Sequence, residues 1–192
     1  MNGAICSKKP MNLQLRHFKD GTSVILFLAA FCVVCFYPPS SLAKRLFAQK
    51  LSVTASRKEM DDRYDPQRDP DKDLAIVSAE AKRSKRNIFV VVGGEWCSWC
   101  HTMDTFFREH PELMTLRDKN YVSMKVSMSQ ENPNQRFLSR YPHIHGYPHI
   151  FIFDADTNLI KSQPTNELED GDGYNTERFR KLLDQFAPKS TR

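Results

Sequence analysis

Cys97 and Cys100 stand two residues apart in Glu95-Trp96-Cys97-Ser98-Trp99-Cys100-His101, a spacing at which two thiols close a disulfide without distorting the backbone. If the pair opens a helix, the helix N-terminus favours the thiolate of Cys97, the form that attacks a disulfide. The same letters read as C-x-x-C-H, a haem-attachment pattern with His101 as axial ligand. The two thiols, the Met103 thioether and the imidazoles of His101, His143, His145 or His149 would also suit Cu(I). Redox exchange, haem binding and copper binding therefore start from one stretch of chain, and the surrounding elements decide among them.

Those elements form an alternating pattern. Ile88 to Val92 is apolar at every position, as in a central strand covered on both faces, and Gly93-Gly94 turns the chain into the cysteine pair. Before it, Leu74, Val77, Ser78 and Ala81 fall on one helical face, with Asp71 placed as N-cap and a basic cluster from Lys82 to Arg86 at the helix end. From Cys97 a helix carries Met103, Phe106 and Phe107 inward. It breaks at His110-Pro111 before a short helix through Leu113 and Leu116. Tyr121 to Met128 alternates strictly, which predicts a strand covered on one face. Asn134 to Tyr141 is expected as helix, His149 to Phe153 as strand, and Asp154 to Asn158 as a turn into a strand over Leu159 to Lys161. A final helix carries Phe179, Leu182, Leu183 and Phe186 on one face. Helices alternating with strands in this order predict an α/β sandwich with a mixed central β-sheet flanked by helices. A haem segment must be free to wrap a large cofactor, so a motif locked behind a buried strand disfavours that reading.

The chain has 192 residues and a net charge of +5, and its N-terminal part inflates that charge: residues 1–43 hold Lys8, Lys9, Arg16 and Lys19 against Asp20 alone. After Lys44 basic and acidic side chains interleave, so neither DNA nor RNA is expected as a partner. Val24 to Tyr37 is an uninterrupted apolar run behind a basic region and ends at Pro38-Pro39. It is short for a membrane span and matches the core of an export signal. Ser41-Leu42-Ala43 offers a cleavage point, and the alternative is a retained inner-membrane anchor at 24–37. The organisation expected is thus a signal or anchor over 1–43, a charged linker with one helical turn over 44–63, and a folded domain over 64–192. Cys32 and Cys35 fall inside the apolar run, and bulky Phe31 and Val34 before them argue against lipidation. Of the five cysteines only Cys97 and Cys100 lie beyond residue 43, so the domain has no structural disulfide framework and the pair is available for chemistry.

Strand, Trp96-Cys97-x-x-Cys100, the later Gly146-Tyr147-Pro148, and a terminal hairpin and helix occur here in one order. Over roughly residues 64 to 188 this set resembles the thioredoxin superfamily, specifically exported thioredoxin-like proteins with a W-C-x-W-C-H type of site. The resemblance implies a thiol-disulfide oxidoreductase of the reductase or isomerase type. Cys97 would be the attacking thiol, Cys100 the resolving thiol, and Pro148 a cis-proline beside the disulfide. Trp96, Tyr147 and Pro148 would form the substrate-binding wall. It also implies protein thiol or disulfide clients, a separate redox donor, no cofactor and no resident metal, in a periplasm or on the outer side of the inner membrane. Typical members bury an acid six residues before the first cysteine, where this chain has Val91, so Glu95, His101 or His149 is expected to transfer the proton instead. Two other functions compete: copper binding or delivery, and a non-catalytic folding or assembly factor that holds clients on Trp96, Trp99 and Tyr147.

Overall fold

The computed structural model describes residues 43–49 and 63–189. The chain divides into two units, 1–48 and 49–192. Of the first, only 43–48 is described, inside a helical stretch 43–49 on which Leu46 and Phe47 are exposed. That stretch is helical throughout, more than the single turn expected of a linker. The apolar run 24–37, Cys32, Cys35, Ser41, Leu42 and the linker residues 50–62 lie outside the described residues. Among the described residues no helix is long and apolar enough to cross a membrane.

The second unit is built on a four-stranded mixed sheet in the order β2-β1-β3-β4. Strand β1 (Asn87–Gly93) lies inside it, parallel to β2 (Tyr121–Ser127) and antiparallel to β3 (His149–Phe153), and β3 pairs antiparallel with β4 (Leu159–Pro164). Every residue of β1 is buried, which its unbroken apolar run requires. Strand β2 is buried along its whole length too, although its alternation predicts one solvated face. The reason is cover from both sides. Val122, Met124 and Val126 pack with Leu74, Val77 and Ala81 of helix α1 (Pro70–Ser84), while Lys125 on the opposite face is capped by the Tyr64 ring and by Asp104. Strand β4 runs three residues past the expected Lys161 and ends on Pro164, which an edge strand tolerates because one side of its ladder is unused.

Asp69 caps helix α1, its side chain accepting from the Asp71 and Lys72 amides with Pro70 at the first helical position, so the N-cap lies two residues earlier than Asp71. Pro70 fits there because its fixed φ suits the first turn and its missing N–H would go unpaired anyway. Helices α2 (Ser98–Glu109) and α3 (Pro111–Asn120) meet at the predicted His110-Pro111 break. Helix α4 spans only Gln135–Leu138, half the length expected. Asn134 enters it at φ 47° and Pro142 forces Tyr141 towards extended backbone, so the turn cannot propagate in either direction. A 3-10 turn (Thr165–Leu168) and a hairpin of two-residue strands, β5 (Glu169–Asp170) and β6 (Gly173–Tyr174), then lead to α5 (Thr176–Gln185).

The sheet separates two apolar clusters, because alternate residues of β1 and β3 point to opposite faces. Phe89, Val91, Ile150 and Ile152 pack with Met103, Phe106 and Phe107 of α2 and Phe179, Leu182 and Leu183 of α5, and this cluster contains Cys97 and Cys100. Phe186, expected on the same helical face, follows α5 and is only partly buried against it. Ile88, Val90, Val92, Phe151 and Phe153 face α1 and Phe137 on the other side.

Candidate active site

Strand β1 delivers the dithiol. After Gly93-Gly94 the Cys97 amide donates to the Gly94 carbonyl, and Cys97 becomes the N-cap of α2, its backbone extended at φ −93° and ψ 108°. The first helical amides then aim at it: the Cys100 N–H points to Cys97 Sγ at 3.2 Å, and the Cys100 and His101 amides reach the Cys97 carbonyl. Unpaired amides at a helix start favour negative charge, so this placement suits a Cys97 thiolate once the pair is reduced. Here the two sulfurs are joined in a disulfide with Cα atoms 5.2 Å apart. Cys97 keeps 5% of its surface exposed and Cys100 none, so of the pair only the first cysteine meets solvent.

Both glycines are demanded by close approach. A Cβ on Gly93 would strike Cys100 Sγ and press on the Tyr64 ring, and one on Gly94 would strike the Trp96 indole. The room they leave fixes the Trp96 ring, which is 61% exposed yet donates from Nε1 to the Met128 carbonyl at 2.7 Å. The ring also meets Tyr147 edge-on at 5.6 Å. The Tyr147–Pro148 peptide is cis, as the resemblance implies, and Pro148 is buried beside partly exposed Tyr147. Trp96, Tyr147 and Cys97 therefore meet on one accessible wall.

The three proton-transfer candidates separate. His101 Nε2 lies 2.8 Å from the Glu95 backbone oxygen and 3.9 Å from the Glu95 carboxylate, so these two exposed residues form a pair at the mouth of the site. The other Glu95 oxygen accepts from the Tyr64 amide at 2.8 Å. His149 is placed elsewhere. It is in register with Val92, packs on Phe151 and bonds Ser162 Oγ at 2.8 Å on the sheet face opposite the dithiol, which corrects its assignment as a proton-transfer residue. Burial, together with the charges of His145 and Lys161, pushes its ring down to about 4. Val91 is buried in the dithiol's own cluster, where a side-chain acid would have stood.

Several residues without a motif to betray them complete the site. Thr165 Oγ1 donates to the Pro148 carbonyl at 2.5 Å, and Tyr174 OH donates to the Trp99 carbonyl at 3.3 Å while its ring packs on Trp99. Burial pushes the phenols of Tyr147 and Tyr174 up, so both remain protonated donors at neutral pH. Lys125 and Asp104 form an ion pair behind the Tyr64 ring. Among the described residues no group of three or more His, Cys, Asp or Glu side chains converges as a metal ion requires, and His143 and His145 are exposed and meet ring to ring at 4.7 Å.

Residues 69–155 match the sequence profile of a family described as thioredoxin-like. The fold is thioredoxin-like. Solved structures similar to it include a disulphide isomerase from Xylella fastidiosa Temecula1, with TM-score 0.51 and 21% identity over 64% of this chain and 92% of that one. The oxidised C-terminal domain of Neisseria meningitidis DsbD gives 0.48 at 17% identity, covering 62% of this chain and 96% of that one. A Thermus thermophilus thioredoxin gives 0.43 at 22% identity, covering 57% and 79%. Comparison with curated protein sequences returns no match. Against the first of these structures the likeness is one of fold, so the chemistry of the thioredoxin-like domain is read from its own residues.

Proposed function

We propose that this protein is a thiol-disulfide oxidoreductase acting on protein clients through Cys97 and Cys100. The observation that carries the reading is the asymmetry of the pair: Cys97, which keeps a little exposed surface, caps a helix N-terminus, and its disulfide partner Cys100 is fully buried. In the reduced chain the Cys97 thiolate attacks one sulfur of a client disulfide. A mixed disulfide forms and the other client sulfur leaves as a thiolate, which takes a proton from solvent. Cys100 then loses its proton and attacks Cys97, which restores the Cys97–Cys100 bond and releases the second client thiol. The client is reduced by two electrons, and a separate thiol donor must return them.

Trp96 and Tyr147 supply the flat apolar wall against which an extended client segment lies, and Pro148 sets the edge beside the disulfide. Glu95 and His101, paired at the mouth, pass the Cys100 proton to water. Reductase or isomerase work outside the cytoplasm fits a chain whose first 43 residues read as an export signal or anchor ahead of a domain over 64–192.

Cys97→Ser is expected to abolish exchange with a disulfide-bonded client. Cys100→Ser is expected to accumulate mixed disulfides, visible as client-linked bands on non-reducing gels. Trapping by the Cys97 variant in place of the Cys100 variant would reverse the roles.

A further inference from the structure

Trp96 also forms one side of a surface groove of about 600 Å³, whose other lining residues are Met128, Ser129, Gln130, Glu131 and Pro133. The exchange steps above use none of these five. Trp96 Nε1 donates to the Met128 carbonyl at 2.7 Å and the Met128 amide donates to the Gly93 carbonyl at 2.6 Å, so the loop after β2 starts out pinned to the turn that carries Cys97. Its far end is held as well. The Ser129 amide donates to the Asn132 carbonyl at 3.2 Å, and the Asn132 amide returns to Ser129 Oγ at 3.1 Å. The Asn132 and Asn134 side chains donate to the Pro66 and Ser127 carbonyls at 2.8 and 2.6 Å. A partner entering the groove would therefore not have to order its walls. Because the Trp96 ring also meets Tyr147 edge-on, the groove continues the wall beside Cys97.

The walls are of two kinds. Exposed Trp96, half-buried Met128 and exposed Pro133 give apolar surface, and exposed Glu131 adds a carboxylate. The Glu131 amide and the Ser129 hydroxyl bond that carboxylate and hold it below the usual carboxylate range, so it stays charged at neutral pH. Among the described residues no lysine or arginine lines the groove to answer it. A purely apolar side chain laid there would crowd water from the carboxylate and offer no counter-charge. An arginine suits both walls, because its stem covers apolar surface while its guanidinium stacks on an indole and forks to a carboxylate. We propose that the groove is a client subsite for a basic side chain, arginine first, carried on the extended segment whose disulfide meets Cys97. The inference rests on the oxidoreductase reading and gives it a client class, disulfides flanked by arginine or lysine. Neither Cys97 nor Cys100 lines the groove, so Glu131 acts on the choice of client.

The test measures single-turnover exchange between the reduced full chain and a disulfide-bonded peptide of small neutral residues that carries a quenched fluorophore pair across the disulfide. One position at a time near the reactive cysteine is made Arg, Leu or Glu. At one position at least, the Arg peptide is expected to exchange about fivefold faster than the Glu peptide and ahead of the Leu peptide, with the Arg-to-Glu ratio shrinking as salt rises. Glu131→Gln should remove most of that ratio, and Glu131→Lys should invert it. Comparing peptides on one variant cancels any general change in the dithiol. Equal rates in the parent, a ratio that the Glu131 variants leave in place, or a lead for Leu over Arg would overturn the proposal, the last by marking an apolar occupant. The oxidoreductase reading is judged by whether the parent exchanges any of these peptides. The groove is judged without exchange, by titrating the oxidised, isotope-labelled chain with the same peptides carrying Ser for Cys and following the Trp96 indole N–H signal. An Arg-dependent shift without exchange would sink the oxidoreductase reading and leave the groove as a site for a basic side chain; exchange with neither preference nor shift would do the reverse.

Discussion

Between about pH 6.5 and pH 4 an unfolded chain protonates the ring that the folded protein keeps neutral at His149, because burial lowers its affinity for a proton to about 4. The unfolded state then binds the extra proton, so His149 costs no stability above about pH 6.5 and an increasing amount as the pH falls through that window. The full difference is on the order of 3 kcal/mol. Urea unfolding of His149→Gln, which keeps a polar group for Ser162, is expected to lose less stability between pH 7 and pH 4 than the parent, and equal slopes would refute this. The same residue shows what sequence could not place. His149 adjoins Pro148 in the chain and reads as part of the site, yet a strand sends neighbours to opposite faces, and one step of register puts it across the sheet. Cys97, Cys100, Trp96, Tyr147 and Pro148 were legible because a local motif carries them. Tyr64, Asp104, Lys125, Thr165 and Tyr174 were not, because long-range packing brings them in.

Strand β2 carries a defect that fits its unexpected cover. With both faces buried, Ser123 Oγ has no hydrogen-bond partner among the described residues. A buried hydroxyl without a partner keeps its desolvation cost and gains nothing in return. Ser123→Ala is therefore expected to stabilise the domain by roughly 1 kcal/mol, read as a higher urea midpoint at unchanged slope, and a lower midpoint would show that an unseen partner exists. The periodic elements were readable for the reason β2 was half readable: alternation identifies a strand, but only the neighbours decide whether its polar face meets water. Apolar runs and Pro or Asn punctuation located β1, β3, the α2–α3 break and α5. The β5–β6 hairpin escaped because strands of two residues leave no period to detect.

At the scale of the whole chain, the proposed export places the work of Cys97 where disulfides persist. Cleavage after Ala43 is expected to yield a mature protein that begins at Lys44, checked by the intact mass of the extracytoplasmic fraction, whereas a membrane-bound species retaining Met1 would mark an anchor. The match to thioredoxin-like sequences ends at residue 155, and the folding unit does not. β4, which closes the free edge of β3, comes later, as do Thr165 on the Pro148 carbonyl and Tyr174 on the Trp99 carbonyl. A fragment trimmed to the recognisable stretch would keep both cysteines and lose the two hydroxyls that tether the Pro148 turn and the first turn of α2, between the cysteines. It would also bare the edge of a fully buried and largely apolar strand to self-pairing. Any shortened version made for biophysical work must therefore reach past α5, because the last third of the domain is the brace on which the dithiol turn rests.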